Sequence, residues 1–218
     1  MCSSVTTIGF IGSGNIGTAV AGLAIAAGHD VVLSNSRGPE TLSEVIAGLG
    51  PKASAGTAEE AAERGDIVVV TIPFRAYRSV PAAPLAGKVV IDTNNYYPQR
   101  DGNVAGIDDG TATSAGLLQA HLPQSSVVKA FNHIRSGELS VDGRPSGSPD
   151  RRALAIAGDD LDAKKTVIDL LDSFGYDVVD AGSLADSWRF EPGHPAYGPS
   201  LTAPAMTDAL AAATRSTG

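Results

Sequence analysis

Short apolar runs alternate with stretches of helical spacing along most of the chain. Residues 5–11 make a run that closes on a glycine turn, and residues 16–27 follow as an Ala/Leu/Ile/Val stretch of helix length. That stretch stops at Gly28, suited to a left-handed helix end. A second short run, 31–33, comes at once. Residues 39–49 read as a helix with Pro39 in its first turn and Gly50-Pro51 ending it, and Thr57 caps an acidic helix over 58–64. Residues 66–72, D-I-V-V-V-T-I, are nearly all apolar or β-branched, as a parallel strand covered on both faces requires. Further strands over 88–92 and 126–132 flank a polar segment, 99–110, and a helix over 114–121. This order predicts an α/β fold with a doubly wound, mainly parallel sheet.

Beyond it, residues 137–150 are rich in Gly, Pro and Ser and predict a mobile loop or connector. A strand over 152–157, an amphipathic helix over 160–174 and a strand over 177–180 follow. The tail from 181 holds Trp188, His194 and an Ala-rich helix over 202–214. The natural division is residues 1–135 and a small C-terminal extension, 136–218, packed on them as one unit. No room remains for a large helical substrate domain. A substrate would bind on the open carboxyl edge of the sheet, covered by loops or by another subunit.

Composition changes this picture little. No apolar run reaches the ~18–20 residues that span a bilayer, and the first residues lack a secretory pattern. Cys2 is the one cysteine, which predicts no internal disulfide and fits the cytoplasm. One cysteine and four histidines show no ligand spacing, so no metal site is expected. The formal net charge of −8 argues against nucleic acid as a partner. Any anionic ligand therefore needs local arginines.

Candidate chemistry begins at the first turn, I-G-F-I-G-S-G-N-I-G over residues 8–17. Gly12, Gly14 and Gly17 have the G-x-G-x-x-G spacing between a strand and a helix, the pattern of a dinucleotide site. Gly12 turns the chain, Gly14 admits a pyrophosphate, and Gly17 lets the helix lie on the sheet with its N–H groups toward the anion. A Gly-rich turn in an unrelated α/β protein is the plainer reading. After the second strand comes Asn35-Ser36-Arg37, where an enzyme preferring NAD carries a carboxylate. Ser36 can donate to a 2′-phosphate and Arg37 can pair with it, which selects NADP(H); the plainer reading is a solvated arginine after a turn. Ile72 and Pro73, at a strand's carboxyl end, are placed to wall a nicotinamide. Arg75 and Arg78 face ligand charge or are exposed helix-end arginines. Asn94 and Asn95 either bond a carboxamide or substrate, or serve turn chemistry. His133 is a candidate proton donor or a strand-end histidine bonded to backbone, the reading favoured here. Trp188 either lids an acceptor or packs. No catalytic acid–base pair is otherwise visible, as suits hydride transfer to a π-electron acceptor by stacking and orientation.

The segments 9–17, Asn35-Ser36-Arg37, Thr71-Ile72-Pro73-Phe74, Lys129-Ala130-Phe131-Asn132, Ala157-Gly158-Asp159-Asp160 and Asp180-Ala181-Gly182-Ser183-Leu184 together resemble the NADPH:coenzyme F-420 (deazaflavin) oxidoreductase family. They are also similar to the cytosolic domain of the six-transmembrane epithelial antigen ferric reductases. The resemblance covers roughly residues 5–184 and implies a Rossmann fold, usually a homodimer. It implies an NADP-dependent oxidoreductase, with coenzyme F-420 or a flavin as second redox partner stacked over the nicotinamide. Ser13, Gly14, Asn15 and Ile16 would hold pyrophosphate and ribose, Ser36 and Arg37 the 2′-phosphate, and Ile72 and Pro73 the nicotinamide half. Asn95, Phe131, Asn132, His133 and Trp188 are the acceptor-side candidates, with Arg75, Arg135 or Lys129 meeting acceptor charge. The deazaflavin enzymes tend to place a histidine where this chain has Asn132, with His133 one position later. Glu40 or Thr41 stands where a basic residue is expected, and the segment 94–98 and the tail around Trp188 match neither relative closely. Two further readings are a reductase of a small imine or carbonyl compound and a non-catalytic NADPH sensor.

Overall fold

The computed structural model describes residues 5–215; Cys2 lies outside the described residues. Its centre is an eight-stranded sheet in the order β3-β2-β1-β4-β5-β6-β7-β8. The strands are β1 Thr7–Ile11, β2 Asp30–Ser34, β3 Ala53–Ala55, β4 Ile67–Val70, β5 Val89–Asp92, β6 Ser126–Lys129, β7 Ala153–Gly158 and β8 Asp177–Asp180. Every neighbouring pair is parallel except β6 with β7. This is the doubly wound Rossmann arrangement, with an antiparallel step near one edge.

Helices α1 (Asn15–Ala26), α2 (Ser43–Leu49), α3 (Ala58–Arg64), α4 (Pro98–Asp101), α5 (Ala105–Asp108), α6 (Ser114–His121), α7 (Ser136–Leu139), α8 (Leu161–Ser173) and α9 (Ala203–Ala212) supply the connections. Their ends follow local chemistry. The Thr57 hydroxyl accepts the Glu60 N–H while the Glu60 carboxylate accepts the Thr57 N–H, a complete capping box for α3. Asp160 caps α8 by accepting the Ala163 N–H at 2.8 Å. Sheet residues such as Phe10, Val69, Ile91, Leu154 and Ile156 are wholly buried, as strands covered on both faces require.

Several expectations need correction. The strand expected over 66–72 ends at Val70, and that expected over 126–132 ends at Lys129, because the chain turns toward the sheet edge there. Phe131 takes a φ of +62°, the one positive value outside glycine among the described residues, which breaks extended pairing. The helix expected over 39–49 begins as a 3₁₀ turn, Pro39–Leu42, before α2. Edge strand β3, short helices α4 and α5, α7 inside the expected loop, and a 3₁₀ helix over Leu184–Phe190 carried too weak a periodicity to be foreseen. Among the described residues no helix is long and apolar enough to cross a membrane.

Two features of this topology place the site. Register aligns Ser34, Ile11, Val70, Asp92 and Lys129 in one row, so β2, β1, β4, β5 and β6 end together. Because β7 runs the other way, it starts at that same edge. There the Ala153 N–H donates to the Leu201 carbonyl at 2.7 Å, which brings the C-terminal tail back to the strand ends.

Candidate active site at the carboxyl edge of the sheet

Gly12 turns the chain out of β1 with a φ of +108°, and a Cβ there would lie 2.2 Å from the Thr71 carbonyl oxygen. Gly17 is equally constrained: its Cβ would sit 2.8 Å from the Gly12 oxygen. Gly14 differs, since a Cβ there would meet no atom within 4 Å. The space it keeps free is an open cavity of about 490 Å³ lined by Gly12, Ser13, Gly14, Ser36, Arg37 and Arg75 among others. Gly14 is also the N-terminal boundary of α1, where no side chain caps the helix and no acidic residue occupies the first turn. The first N–H groups of a twelve-residue helix thus await an acceptor, and the helix dipole favours an anion.

The wall beyond β2 is preorganised. Asn35 Oδ1 accepts the Arg37 N–H at 2.9 Å, and Asn35 Nδ2 donates to Thr41 Oγ1 at 2.8 Å, which fixes the turn and leaves Ser36 and Arg37 exposed on the cavity. Arg75 lines the same cavity from beyond β4, whereas Arg78 stacks on Tyr77 and is not among its lining residues.

Thr71, Ile72 and Pro73 are shared with a second cavity of about 330 Å³, so the two adjoin at the strand ends, together called the cleft. Asn94 and Asn95 line the second cavity. Asn94 Oδ1 accepts the Ile72 N–H at 3.0 Å, and Asn94 Nδ2 is buried with no hydrogen-bond partner. A buried amide N–H left unmet costs about 1–3 kcal/mol, so it fits a ligand acceptor such as a carboxamide oxygen. Both the Gly14 space and this orphan donor match the two ends of a dinucleotide.

Beneath the second cavity, Lys129 is wholly buried. Its Nζ lies 3.2 Å from Asp92 Oδ2 and 3.5 Å from Glu191 Oε1, and donates to the Asn94 carbonyl at 2.7 Å and to Ser114 Oγ at 2.8 Å. Burial pushes the Asp92 carboxyl above its ordinary range, and Lys129 opposes that rise. Lys129 therefore cannot meet acceptor charge, contrary to expectation. It holds the backbone that positions Asn94.

His133 is also inside the protein, 1% exposed. Its Nε2 accepts the Ala155 N–H at 3.0 Å, which leaves Nδ1–H to donate to Asn132 Oδ1 at 3.2 Å. Asn132 Nδ2 donates in turn to Asn95 Oδ1 and to the Phe190 carbonyl. His133 thus orients Asn95 through Asn132 and does not line the cleft, so the geometry leaves no proton-donor role for it. Burial, with Arg152 and Lys129 nearby, lowers its pKa from 6.5 to about 3. Between those values the unfolded chain binds a proton that the folded chain excludes. Stability should fall as pH drops through that window, with His133 contributing up to about 1.4 kcal/mol per pH unit. Urea unfolding at pH 7 to 4, compared with His133→Gln, would show a shallower slope in the variant.

Phe131 and Asn132 line the second cavity. Trp188 does not: it stacks with Arg189 and Arg215 and lines a neighbouring cavity of about 540 Å³. Arg135 is 83% exposed and pairs with Glu138. Tyr97, Arg100 and Tyr197, which the sequence did not mark as site residues, also line the second cavity. Tyr97 and Arg100 follow Asn94-Asn95 in a polar segment with no motif of its own. Tyr197 arrives from the far end of the chain with no motif to mark it.

A Rossmann sheet, a helix end facing an open anion-sized space and a Ser-Arg wall define a nucleotide-binding protein of the dehydrogenase class. Comparison narrows the class. The sequence model of the family described as NADP oxidoreductase, coenzyme F-420-dependent, matches residues 7–96. A hypothetical protein from Sinorhizobium meliloti superposes with a TM-score of 0.78 at 30% identity, covering 91% of this chain and 96% of that one. An Arthrobacter protein assigned as an F-420-dependent NADP reductase shares the fold, with a TM-score of 0.72 at 24% identity over 84% of this chain and 87% of its own. Rat metalloreductase STEAP3 is 31% identical over 84% of this chain and 35% of its own length. This chain therefore spans about a third of the curated relatives it matches. Residues 7–96 thus match the coenzyme F-420-dependent NADP oxidoreductase family, and the chain is similar over most of its length to the STEAP metalloreductases.

Proposed function

We propose that this protein is an NADPH-dependent oxidoreductase that exchanges hydride between NADP(H) and a deazaflavin-type acceptor held over the nicotinamide. The observation that carries the reading is the pair of adjoining cavities, the Gly14 space and the Asn94 cavity, that share Ile72 and Pro73 as walls. In this reading the α1 N-terminus and Ser13 hold the pyrophosphate, with Asn15 and Ile16 toward the ribose. Ser36 and Arg37 hold the 2′-phosphate. Asn94 bonds the carboxamide and Pro73 walls the ring. Bound NADPH supplies the hydride. The chain's own task in the hydride step is to align the ring with the acceptor by stacking and orientation and to keep the interval free of water.

The test follows NADPH absorbance with purified protein against coenzyme F-420, FMN, FAD, and a panel of imines and carbonyl compounds. Oxidation with F-420 alone supports the deazaflavin reading. Oxidation only by flavins or small compounds moves the acceptor. Tight NADPH binding with no consumption by any of them supports a sensor and overturns turnover. The STEAP relationship adds one arm, ferric iron supplied with a free flavin, to test for metal reduction.

Arg37 carries its own prediction. Arg37→Ala should raise the Kd for NADPH and for 2′,5′-ADP about tenfold or more, the scale of a charge-assisted phosphate contact, and leave NADH affinity unchanged. Fluorescence titration with the three ligands checks it.

A further inference from the structure

Two phenols converge in the second cavity, which Ile72 and Pro73 also line. The hydroxyl oxygens of Tyr97 and Tyr197 lie 2.7 Å apart, and Asn95 Nδ2 reaches the Tyr197 oxygen at 3.5 Å. The residues are 100 positions apart in sequence, and each is held by its surroundings. The Tyr97 N–H donates to Asp101 Oδ2 at 2.9 Å, and the Arg100 guanidinium lies 4.9 Å from the centre of the Tyr97 ring. Arg100 is itself tied to the Asn95 carbonyl at 2.7 Å and to Asp101 at 2.8 Å. On the other side, the Tyr197 N–H donates to the His194 carbonyl, and the next residue, Gly198, donates to the His133 carbonyl, each at 3.0 Å.

Counting protons gives the pair its meaning. Two hydroxyls facing each other share one O–H in the bond between them and keep one O–H unshared. Asn95 Nδ2 donates at 2.7 Å to the Asn132 carbonyl, and Asn95 Oδ1 is filled by Asn132, so the amide cannot turn to accept that spare proton. Burial and the bond to Tyr97 hold the Tyr197 phenol well above its ordinary pKa, so it stays a donor throughout the physiological range. A preorganised donor is therefore held at the cavity that Ile72 and Pro73 also line.

We propose that Tyr97 and Tyr197 are the acceptor-side catalytic groups, whose unshared O–H binds the oxygen of a conjugated carbonyl acceptor and supplies the proton that accompanies hydride transfer. The inference rests on the proposed NADPH site and names what faces it. The balance of the step is simple. A hydride from the dihydronicotinamide carries two electrons to the acceptor's electrophilic carbon. The conjugated π pair shifts to the carbonyl oxygen, which takes the phenolic proton as a new O–H bond. Water returns a proton to the half-buried pair. A deazaflavin ring and a small conjugated aldehyde both present this chemistry.

Tyr97→Phe, Tyr197→Phe and the double variant keep both rings and remove only hydroxyls. NADPH affinity is measured for each, then turnover, KM and the solvent deuterium isotope effect with coenzyme F-420 and, separately, 4-nitrobenzaldehyde. The expected result is an unchanged NADPH Kd and a kcat about 100-fold lower in the double variant, the scale of general-acid catalysis. Its solvent isotope effect should be lost as well. Whichever probe the parent protein turns over identifies the source of the carbonyl. Unchanged turnover in the double variant, or loss of turnover matched by loss of NADPH affinity, overturns the proposal. A parent protein that binds NADPH but uses neither probe overturns the acceptor class alone. One that binds no NADPH overturns the nucleotide reading with it.

Discussion

Gly14→Ala should fold and melt like the parent protein yet bind NADPH about 10- to 100-fold more weakly, a loss of about 1.4–2.8 kcal/mol. Gly14 has a φ of −74°, which alanine adopts freely, and a Cβ there meets nothing within 4 Å. The lower chain entropy of unfolded alanine offsets its poorer helix capping to within about 1 kcal/mol. The methyl group would instead stand in the open space where the proposed pyrophosphate approaches the α1 N–H groups. Gly12→Ala is the contrasting control. With a φ of +108° and a Cβ 2.2 Å from the Thr71 oxygen, it strains the backbone and forces β4's end away from β1. That variant should lose stability by at least the roughly 1–3 kcal/mol of a disfavoured backbone conformation. Calorimetric melting and NADPH titration of the two proteins separate a ligand-facing glycine from a fold-forming one. Equal melting losses in both would sink the distinction.

The second large effect is expected at Lys129. Lys129→Met removes the cation from a buried group that contains Asp92 and Glu191, leaving two carboxylates with no positive partner. Breaking one side of such a group typically costs about 3–5 kcal/mol, because the remaining charge is stranded. The Asn94 carbonyl also loses its 2.7 Å donor, so the strand end that presents Asn94 should loosen. Urea unfolding should show the loss. The double variant Lys129→Met with Asp92→Asn should recover part of it, since the neutral amide no longer demands a counter-charge. A double variant no more stable than the single one would show that methionine's shape, rather than the stranded carboxylate, is responsible.

The residues proposed for the cofactor half of the cleft are legible in the sequence because their chemistry is local. A glycine turn between strand and helix, then Ser36-Arg37 at the next strand end, each lie within a few residues of the pattern that predicts them. The acceptor half obeys no such rule. Tyr97 meets Tyr197 only because β7 reverses direction and returns the tail to the strand ends, and no periodicity encodes that return. Lys129 was misassigned for a different reason. A lysine within the apolar run S-V-V-K-A-F, opposite an aspartate ending K-V-V-I-D, is the mark of a buried ion pair, and register places Asp92 directly beside it. An assignment of Lys129 to acceptor charge leaves that strand pairing out. Short elements such as β3, built from Ala53-Ser54-Ala55, have neither β-branched residues nor alternation to announce them.

The antiparallel step also sets an order of assembly. Every element of the proposed nucleotide wall lies before residue 102, whereas the Tyr97–Tyr197 contact proposed for the acceptor wall spans 100 residues and needs the tail docked on β7. Long-range contacts form late, because their loop-closure entropy must be overcome first. During synthesis or refolding, the chain should gain its nucleotide pocket before its second phenol. NADPH would then act as a ligand that stabilises a half-finished enzyme.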